Sequence, residues 1–496
     1  MRAPESRLRA LNQRSVSAKG KFVLYWMTSA RRPHYNFGLE HAVALAKQHH
    51  VPLLVLEALR VGYPWASVRL HDFVLAGMRD HLAHFEGSAV TYYPYVEPSP
   101  GAGSGLLAAL AEHACSVVAD DYPAFFLPHM LEAAARKISV CMEAVDGNGL
   151  LPISAADGRT FATAYSFRRF LQQKLPAELS RVPRKDPLKG VQLAELTKLP
   201  RGIAARWPAV SEAELADRTG LLARLPIDQS VPVVTAYEGG YVAGAKQLKR
   251  FLGQQLAHYA DARSHPDSGA SSGLSPWLHF GHVSTHQVIA ELMKVEDWDG
   301  HPRGKTRNGT REGFWGLSAG ADAFLDELVT WRELGFNTCA TLENYADYDS
   351  LPDWARETLR EHEKDPREPL YTLAQLERAE TYDEIWNAAQ RQLLWEGRIH
   401  NYLRMLWGKK ILEWTRHPRE ALEIMIQLNN KYAVDGRDPN SYSGIFWVLG
   451  RYDRPWAPKR KIFGSIRYMS SASTQRKLRL RRYLEHYGSA AQGELF

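Results

Sequence analysis

The chain has 496 residues, 45% of them hydrophobic and 24% charged, which suffices to bury more than one core and excludes disorder as the main state. Its three cysteines, Cys115, Cys141 and Cys339, stand far apart with no CxxC pair, excluding a disulfide framework and a zinc site and fitting a reduced, cytoplasmic protein. A formal net charge of +7 suits a polyanionic partner, and with neither a spanning apolar run nor a signal-peptide core, no membrane association is expected.

In chain order, residues 1–20 read as a basic, flexible tail. "KFVLYWM" and "VPLLVLEAL" are short, continuously apolar runs, predicted as strands buried on both faces of a parallel sheet. Between them "NFGLEHAVALAKQHH" has helical spacing. A helix at "SVRLHDFVLAGMRDHLAHFEG", a strand at "AVTYYPYV", a helix at "GLLAALAEHA" and strands around "SVVADD" and "SVCMEAV" continue the alternation. This arithmetic predicts a doubly wound, Rossmann-like α/β domain over 21–176. "GAGSGL", at 101–106, imitates a dinucleotide fingerprint but lacks the full GxGxxG spacing and reads as loop glycine. Residues 177–230 turn Pro-rich and charged, as expected of an inter-domain linker running over the surface. From 231 to 485 helical periods dominate, in "GAKQLKRFLGQQLAHYA", "ADAFLDELVTWREL", "YDEIWNAAQRQLLW", "HNYLRMLWGKKILEW" and "REALEIMIQLNN". This larger second domain is predicted to be all-α, followed by a tail over 486–496. No repeat at a solenoid period is present.

Several stretches have the chemistry of a site. In "SSGLSPWLHFG" Ser275 and Pro276 suit an N-cap and the first helical position, so a helix should start there and its free N–H groups could meet an anion; an ordinary Ser-Pro helix start fits equally. His279 and His282 have no third ligand nearby, so no metal site is expected. Glu327 and Trp331, four apart, share a helix face and set a carboxyl group beside a flat ring, which suits a planar, hydrogen-bonding ligand; an amphipathic helix with Glu327 at its solvent margin is the plainer reading. Trp407 and Trp414 are two helical turns apart, about 10 Å along the axis, and Trp386 lies on the preceding helix, folded back by a tight "EGR" turn. Core packing explains that spacing as well as an electron path does. "YAVDGRDPNSYSGIFW", at 432–447, packs two acids, an Arg and two turn-forming pairs directly before aromatics.

Together, "EIWNAAQ", "LRMLWGKKILEWT", "LNNKYAVDGRDPN", "SSGLSPWLHFG", "FLDELVTWREL", "KDPREPLYTLAQLE" and "IFGSIRYM", seven motifs that follow along the chain in the family's order, resemble the class II cyclobutane pyrimidine dimer photolyases of the photolyase/cryptochrome superfamily, densely from about 238 to 468. The resemblance implies light-dependent repair of UV-damaged DNA by an electron from photoexcited, reduced FAD, with the dimer flipped out of the duplex. It implies a U-shaped FAD in the helical domain, held by Tyr259, Arg263, Ser271, Ser272, Leu274, Ser275, Arg404 and Asp435, with Asn429 facing flavin N5. Glu327, Trp331, Met405 and Trp447 match the lesion pocket, and Arg467 matches a DNA contact. Trp407, Trp386 and Trp414, outward from the flavin, match an electron-transfer triad, with Tyr371 as an accessory. An antenna of deazaflavin type would belong to the first domain. A monomer in the cytoplasm, on the nucleoid when bound to DNA, is expected. Asn430, Lys431 and Asn401 depart from the family's usual Asp, Arg and Gly. A cryptochrome-like blue-light photosensor without repair activity would share the FAD site and the triad, but would have no need of the dimer pocket.

Overall fold

The continuously apolar runs form strands because both of their faces are covered. In the computed structural model, which describes residues 2–489, β1 (Leu8–Ala10), β2 (Phe22–Met27), β3 (Leu53–Leu59), β4 (Val90–Val96), β5 (Ala114–Asp120) and β6 (Cys141–Val145) form one sheet in the order β1-β6-β5-β2-β3-β4. All neighbours from β6 to β4 run parallel. The crossovers contain α1 (Phe37–His49), α2 (Val68–Phe85), α3 (Leu106–Ala111) and α4 (Leu127–Lys137). Side chains alternate between two cores: Phe22, Leu24, Leu54 and Val117 on one face, Val23, Tyr25, Leu53 and Val118 on the other. This is the expected doubly wound α/β fold.

The tail expected over residues 1–20 requires a correction within its described part, since Arg7 and Leu8–Ala10 are tied into the sheet. β1 pairs antiparallel with β6, Leu8 opposite Val145, and so covers an edge that would otherwise expose a row of unpaired backbone groups. The buried Arg7 guanidinium donates to the carbonyls of Asp146, Gly149 and Leu150 at 3.1, 3.1 and 2.6 Å.

Two backbone nests at the carboxyl side of the sheet are filled from within. At the switch point between β2 and β5, Asp120 Oδ2 accepts the N–H groups of Thr28, Ser29 and Ala30 at 2.8, 2.9 and 2.9 Å. In "GAGSGL" the N–H groups of Gly101 and Gly103 donate to Glu97 Oε1 at 2.9 and 3.1 Å. Such crevices hold phosphate in nucleotide-binding sheets; here each holds a carboxylate of the chain itself.

The chain divides into an α/β unit (up to 157, with 174–249 and 273–301) and a helical unit (158–173, 250–272 and from 302 on). Residues 177–230 hold three short helices, Ile203–Arg206, Glu212–Ala216 and Arg218–Ala223, joined by irregular, proline-broken chain, and they are anchored: Leu215, Leu221, Leu222 and Ile227 share a core with Val74, Leu75 and Met78 of α2, and Trp207 joins the sheet core. The tail expected at 486–496 lies outside the described residues from 490 on, while Tyr487 is buried at the end of the Arg481–Tyr487 helix.

Inside the α/β unit Glu57 is fully buried, accepting from Arg31 at 2.7 Å and Tyr92 at 2.6 Å and meeting His81 Nδ1 at 2.7 Å. Burial opposes its charge, but His81, Arg31 and Tyr92 together hold its carboxyl down at about 2, against an ordinary 4.5. A depressed carboxylate stabilises the fold above its unfolded value, and that increment, on the order of 3 kcal/mol, is lost as pH falls from 4.5 through about 2. Denaturant unfolding across that window should show the loss in the native chain and not in Glu57→Gln, which starts from lower stability.

The helical unit is built on the Asn401–Trp414 helix, packed against Glu384–Glu396, Pro418–Tyr432 and Pro439–Val448. Gly397, at φ 63°, ends the Glu384–Glu396 helix and reverses the chain. No described helix is long and apolar enough to cross a membrane.

Candidate active site and aromatic ladder

"FLDELVTWREL" forms a long helix that changes winding midway: α over Ala319–Leu325, π over Asp326–Trp331, then α over Arg332–Thr341. A π turn takes more residues than an α turn and is common at functional sites. Glu327 and Trp331 still lie near one face, both half-buried among buried neighbours. Glu327 is ion-paired with Arg263, whose guanidinium also lies 5.5 Å from the Tyr259 ring centroid. Burial and the Glu327 charge push the Tyr259 hydroxyl up to about 12. The preceding residue pins the wide turn: buried Asp326 accepts from Arg168 Nε and Nη2 at 2.8 and 3.2 Å and from Arg311 Nε at 3.1 Å.

The polar knot before Trp447 is a tight connection between two helices. Gly436 has no room for a Cβ, which would come within 2.8 Å of Asn429 O and 2.9 Å of Ala433 O, and Arg437 takes φ 66°. Asn430 Oδ1 accepts Arg437 N–H at 2.9 Å, Arg437 Nη1 returns to Asn430 O at 2.7 Å, and Asp438 caps the next helix at Asn440 N, 2.8 Å. Asn430, a departure from the resembled pattern, thus holds the turn, and Lys431 pairs with Glu377 at 2.8 Å. Asn401, the third, is exposed at the first helical position.

This knot sets Asp435 beside Arg404, but the pair is loose at 3.5 Å. Arg404 Nε and Asp435 Oδ1 are buried without a hydrogen-bond partner among the described residues, which is costly unless something else meets them. One free donor and one free acceptor, with the buried Asn429 amide nearby in sequence, suit the edge of a flavin ring, which has both N–H and carbonyl groups. The residues present therefore fit FAD. Close by on the same helix, burial lowers His400 to about 4, so its ring is neutral, with Nδ1 unpartnered.

Trp447 stands half-buried between two cations. Lys409 Nζ lies 5.2 Å from its ring centroid and Arg467 Cζ 5.3 Å. Arg467 is braced by Asp453 through Nε and Nη2 at 3.0 and 3.3 Å and stacks over Trp456 at 4.1 Å, leaving Nη1 for another partner. Lys409 is fully buried against Val448 O, and burial lowers its ammonium to about 7. Met405 approaches Gly444 on the Trp447 helix, its Cε 3.8 Å from where a Cβ would stand.

The three tryptophans are among the most completely buried side chains. Trp386 inserts between the other two, stacked on Trp407 at 6.5 Å and 3° and edge-on to Trp414 at 5.5 Å. Tyr371 and Tyr382 both meet Trp414, at 5.3 and 5.6 Å.

Ser271 and Ser272 close one stretch of the helical unit, whereas Leu274 and Ser275 fall in the next stretch, which clusters with the α/β unit. The expected cap is corrected by one residue: the helix runs Ser275–His279, its N-cap is Leu274, and no side chain caps it. His282 Nδ1 accepts Gly240 N–H at 3.0 Å, and among the described residues no cluster of three His, Cys, Asp or Glu could hold a metal ion. Sequence reasoning missed Asp326, Lys409 and Tyr382. A lysine inside a helix buried on every side, as in "LWGKKIL", was the available signal for Lys409.

No family model matches the chain. It is 30% identical over 479 residues to the deoxyribodipyrimidine photo-lyase of Methanothermobacter thermautotrophicus, covering 97% of each chain. To the deoxyribodipyrimidine photo-lyase of Potorous tridactylus it is 33% identical over 461 residues, 92% of this chain and 79% of the relative. Its fold is similar to that of a class III photolyase from Agrobacterium tumefaciens, with TM-score 0.65 and 16% identity over 95% of this chain and 87% of the other.

Proposed function

The chain belongs to the deoxyribodipyrimidine photo-lyase family, a family of lyases, and from that membership we propose a class II enzyme that repairs cyclobutane pyrimidine dimers in DNA with FAD. The observation that carries the reading is the Arg404–Asp435 pair with its two unsatisfied buried atoms. Its Arg404 sits on the helix that holds Trp407, one turn away. When bound and reduced, FAD supplies on illumination the single electron that opens the cyclobutane ring and takes it back.

The residues of the chain have the remaining tasks. Arg404 and Asp435 would hold and orient the ring through Nε and Oδ1, Asn429 would face it, and Tyr259, Arg263, Ser271, Ser272, Leu274 and Ser275 would supply further cofactor contacts. Trp331, Met405 and Trp447 offer an apolar cleft to the flipped-out dimer, whose poor pairing lowers the cost of extrusion. Glu327, paired with Arg263, is an acceptor for base N–H groups, while the guanidinium favours negative charge developing on the lesion. Arg467 steadies Trp447 and reaches a DNA phosphate with Nη1, a contact weakened by salt. Trp407, Trp386 and Trp414 carry electrons outward from the flavin site, with Tyr371, in contact with Trp414, as an accessory.

The same reading divides the chain into an antenna-type α/β domain over 21–176, a linker over 177–230 and a catalytic helical domain over 231–485. A deazaflavin-type antenna is supported by the aromatic cluster beyond β3 and β5, where Trp65 and Phe125 stack at 5.9 Å, both at positive φ. The protein acts as a cytoplasmic monomer.

Purified protein should absorb as a flavoprotein and, once reduced without oxygen, restore the near-ultraviolet absorbance of thymine in a dimer-containing oligonucleotide under blue light only. Bound flavin without light-dependent recovery would refute repair and leave the photosensor reading. Glu327→Ala should lower the repair yield per absorbed photon severalfold while FAD content changes little; a normal yield would remove Glu327 from the mechanism.

A further inference from the structure

The indole ladder stops short of water. Trp407, Trp386 and Trp414 are exposed by 2%, 0% and 1%, and no base stands beside any of their ring nitrogens. Trp386 Nε1 donates to Trp407 O at 3.0 Å, Trp407 Nε1 donates to Gln390 Oε1 at 2.9 Å, and Trp414 Nε1 is buried with no partner. An oxidised indole is acidic at that N–H and becomes a trapped neutral radical only where something accepts the proton. A carbonyl oxygen and an amide oxygen do not, and Trp414 Nε1 meets no acceptor among the described residues. A positive hole on this ladder therefore keeps its charge and moves on. The Lys410 ammonium, 5.3 Å from the Trp414 ring centroid, adds repulsion to a hole there; Glu413 at 2.9 Å and Asp383 at 3.8 Å from Lys410 Nζ offset part of it.

Two phenols receive it, and they differ in what can happen to their protons. Tyr371 is half-buried, and its oxygen accepts Tyr382 N–H at 3.0 Å. Tyr382 is 64% exposed. The geometry points to Tyr382 as the terminal electron donor of the ladder and the place where a soluble thiol re-reduces it. This rests on the flavin reading above. Trp407 yields an electron to light-excited oxidised FAD, and the hole passes through Trp386 to Trp414. Tyr382 then gives Trp414 one electron and gives water its phenolic proton, leaving a neutral phenoxyl radical. A thiol returns one electron and one proton to that oxygen, and two thiyl radicals join as a disulfide, so charge and atoms balance.

The test is flash photolysis of the holoprotein with oxidised FAD, followed by freeze-quench electron paramagnetic resonance, with dithiothreitol as the reductant. The native chain should show an indole radical cation giving way to a neutral tyrosyl radical, more slowly in heavy water. Tyr382→Phe keeps the ring and the backbone N–H to Tyr371; it should lose the tyrosyl signal, prolong the indole cation and slow dithiothreitol-dependent photoreduction severalfold. Tyr371→Phe should keep the tyrosyl signal. A tyrosyl signal that survives in Tyr382→Phe, or disappears in Tyr371→Phe alone, would overturn the assignment while leaving the flavin reading intact. Absence of bound flavin or of any indole radical would overturn both.

Discussion

Asp326→Ala is expected to destabilise the helical unit by about 3–5 kcal/mol, the range for removing one partner of a buried ion pair. The side chains of Arg168 and Asp326 are 8% and 4% exposed, so among the described residues the substitution leaves the interior guanidinium with Gly309 O alone, at 3.2 Å from Nη1, to meet it. Arg311, whose side chain is 56% exposed, can turn to water and contributes little of the loss. Urea unfolding followed by the far-ultraviolet signal of the helices measures it. Replacing both charges, in Arg168→Met with Asp326→Leu, should recover much of the stability, because the penalty comes from the unpaired charge and not from a missing attraction. A loss below about 1 kcal/mol in Asp326→Ala would mean that solvent reaches Arg168. Since Asp326 begins the π turn, the variant should also lose repair yield at Glu327, beyond its loss of folded protein.

Trp386→Phe is expected to slow photoreduction of oxidised flavin by at least an order of magnitude while repair by prereduced protein stays close to normal. Without Trp386 the other two indoles are left about 10 Å apart along one helix, and tunnelling falls off exponentially with such a gap. The packing cost is modest: a smaller ring leaves a partial cavity and one unmet donor-acceptor contact at Trp407 O, on the order of 1–2 kcal/mol. Stopped-flow absorbance under illumination measures the first rate, and single-turnover repair after chemical reduction measures the second. Equal loss of both would make Trp386 a packing residue only.

What was legible in the sequence follows the strength of the local signal. β2, β3 and β5 announced themselves as apolar runs because burial on both faces leaves no alternation to blur. β1 has three residues, Leu-Arg-Ala, and exists because β6 needs an edge partner; no local pattern encodes that. α4 has no long apolar period to mark it, although Pro128 near its start and Arg136 and Lys137 at its end are the usual punctuation of a helix. In the helical unit, spacing put Trp407 and Trp414 on one helix face, but the insertion of Trp386 between them depends on the turn at Gly397, and the partners of the three ring nitrogens are tertiary facts. The π turn at Glu327 was invisible for a different reason: one wide turn shifts the apolar register too little to stand out from an α pattern. The scattered apolar residues of 177–230 have no period, so only the folded chain reveals that they are anchored.

The carboxylates of Asp120 and Glu97 have a consequence for life among metabolites. An α/β sheet with open nests at its carboxyl edge would be loaded by whatever nucleoside phosphates circulate at high concentration. Here a phosphate must first evict a covalently tethered anion that never dilutes, and then endure its repulsion at close range. The chain thus carries its own competitor for those N–H groups, at a local concentration that no change in the surroundings can lower.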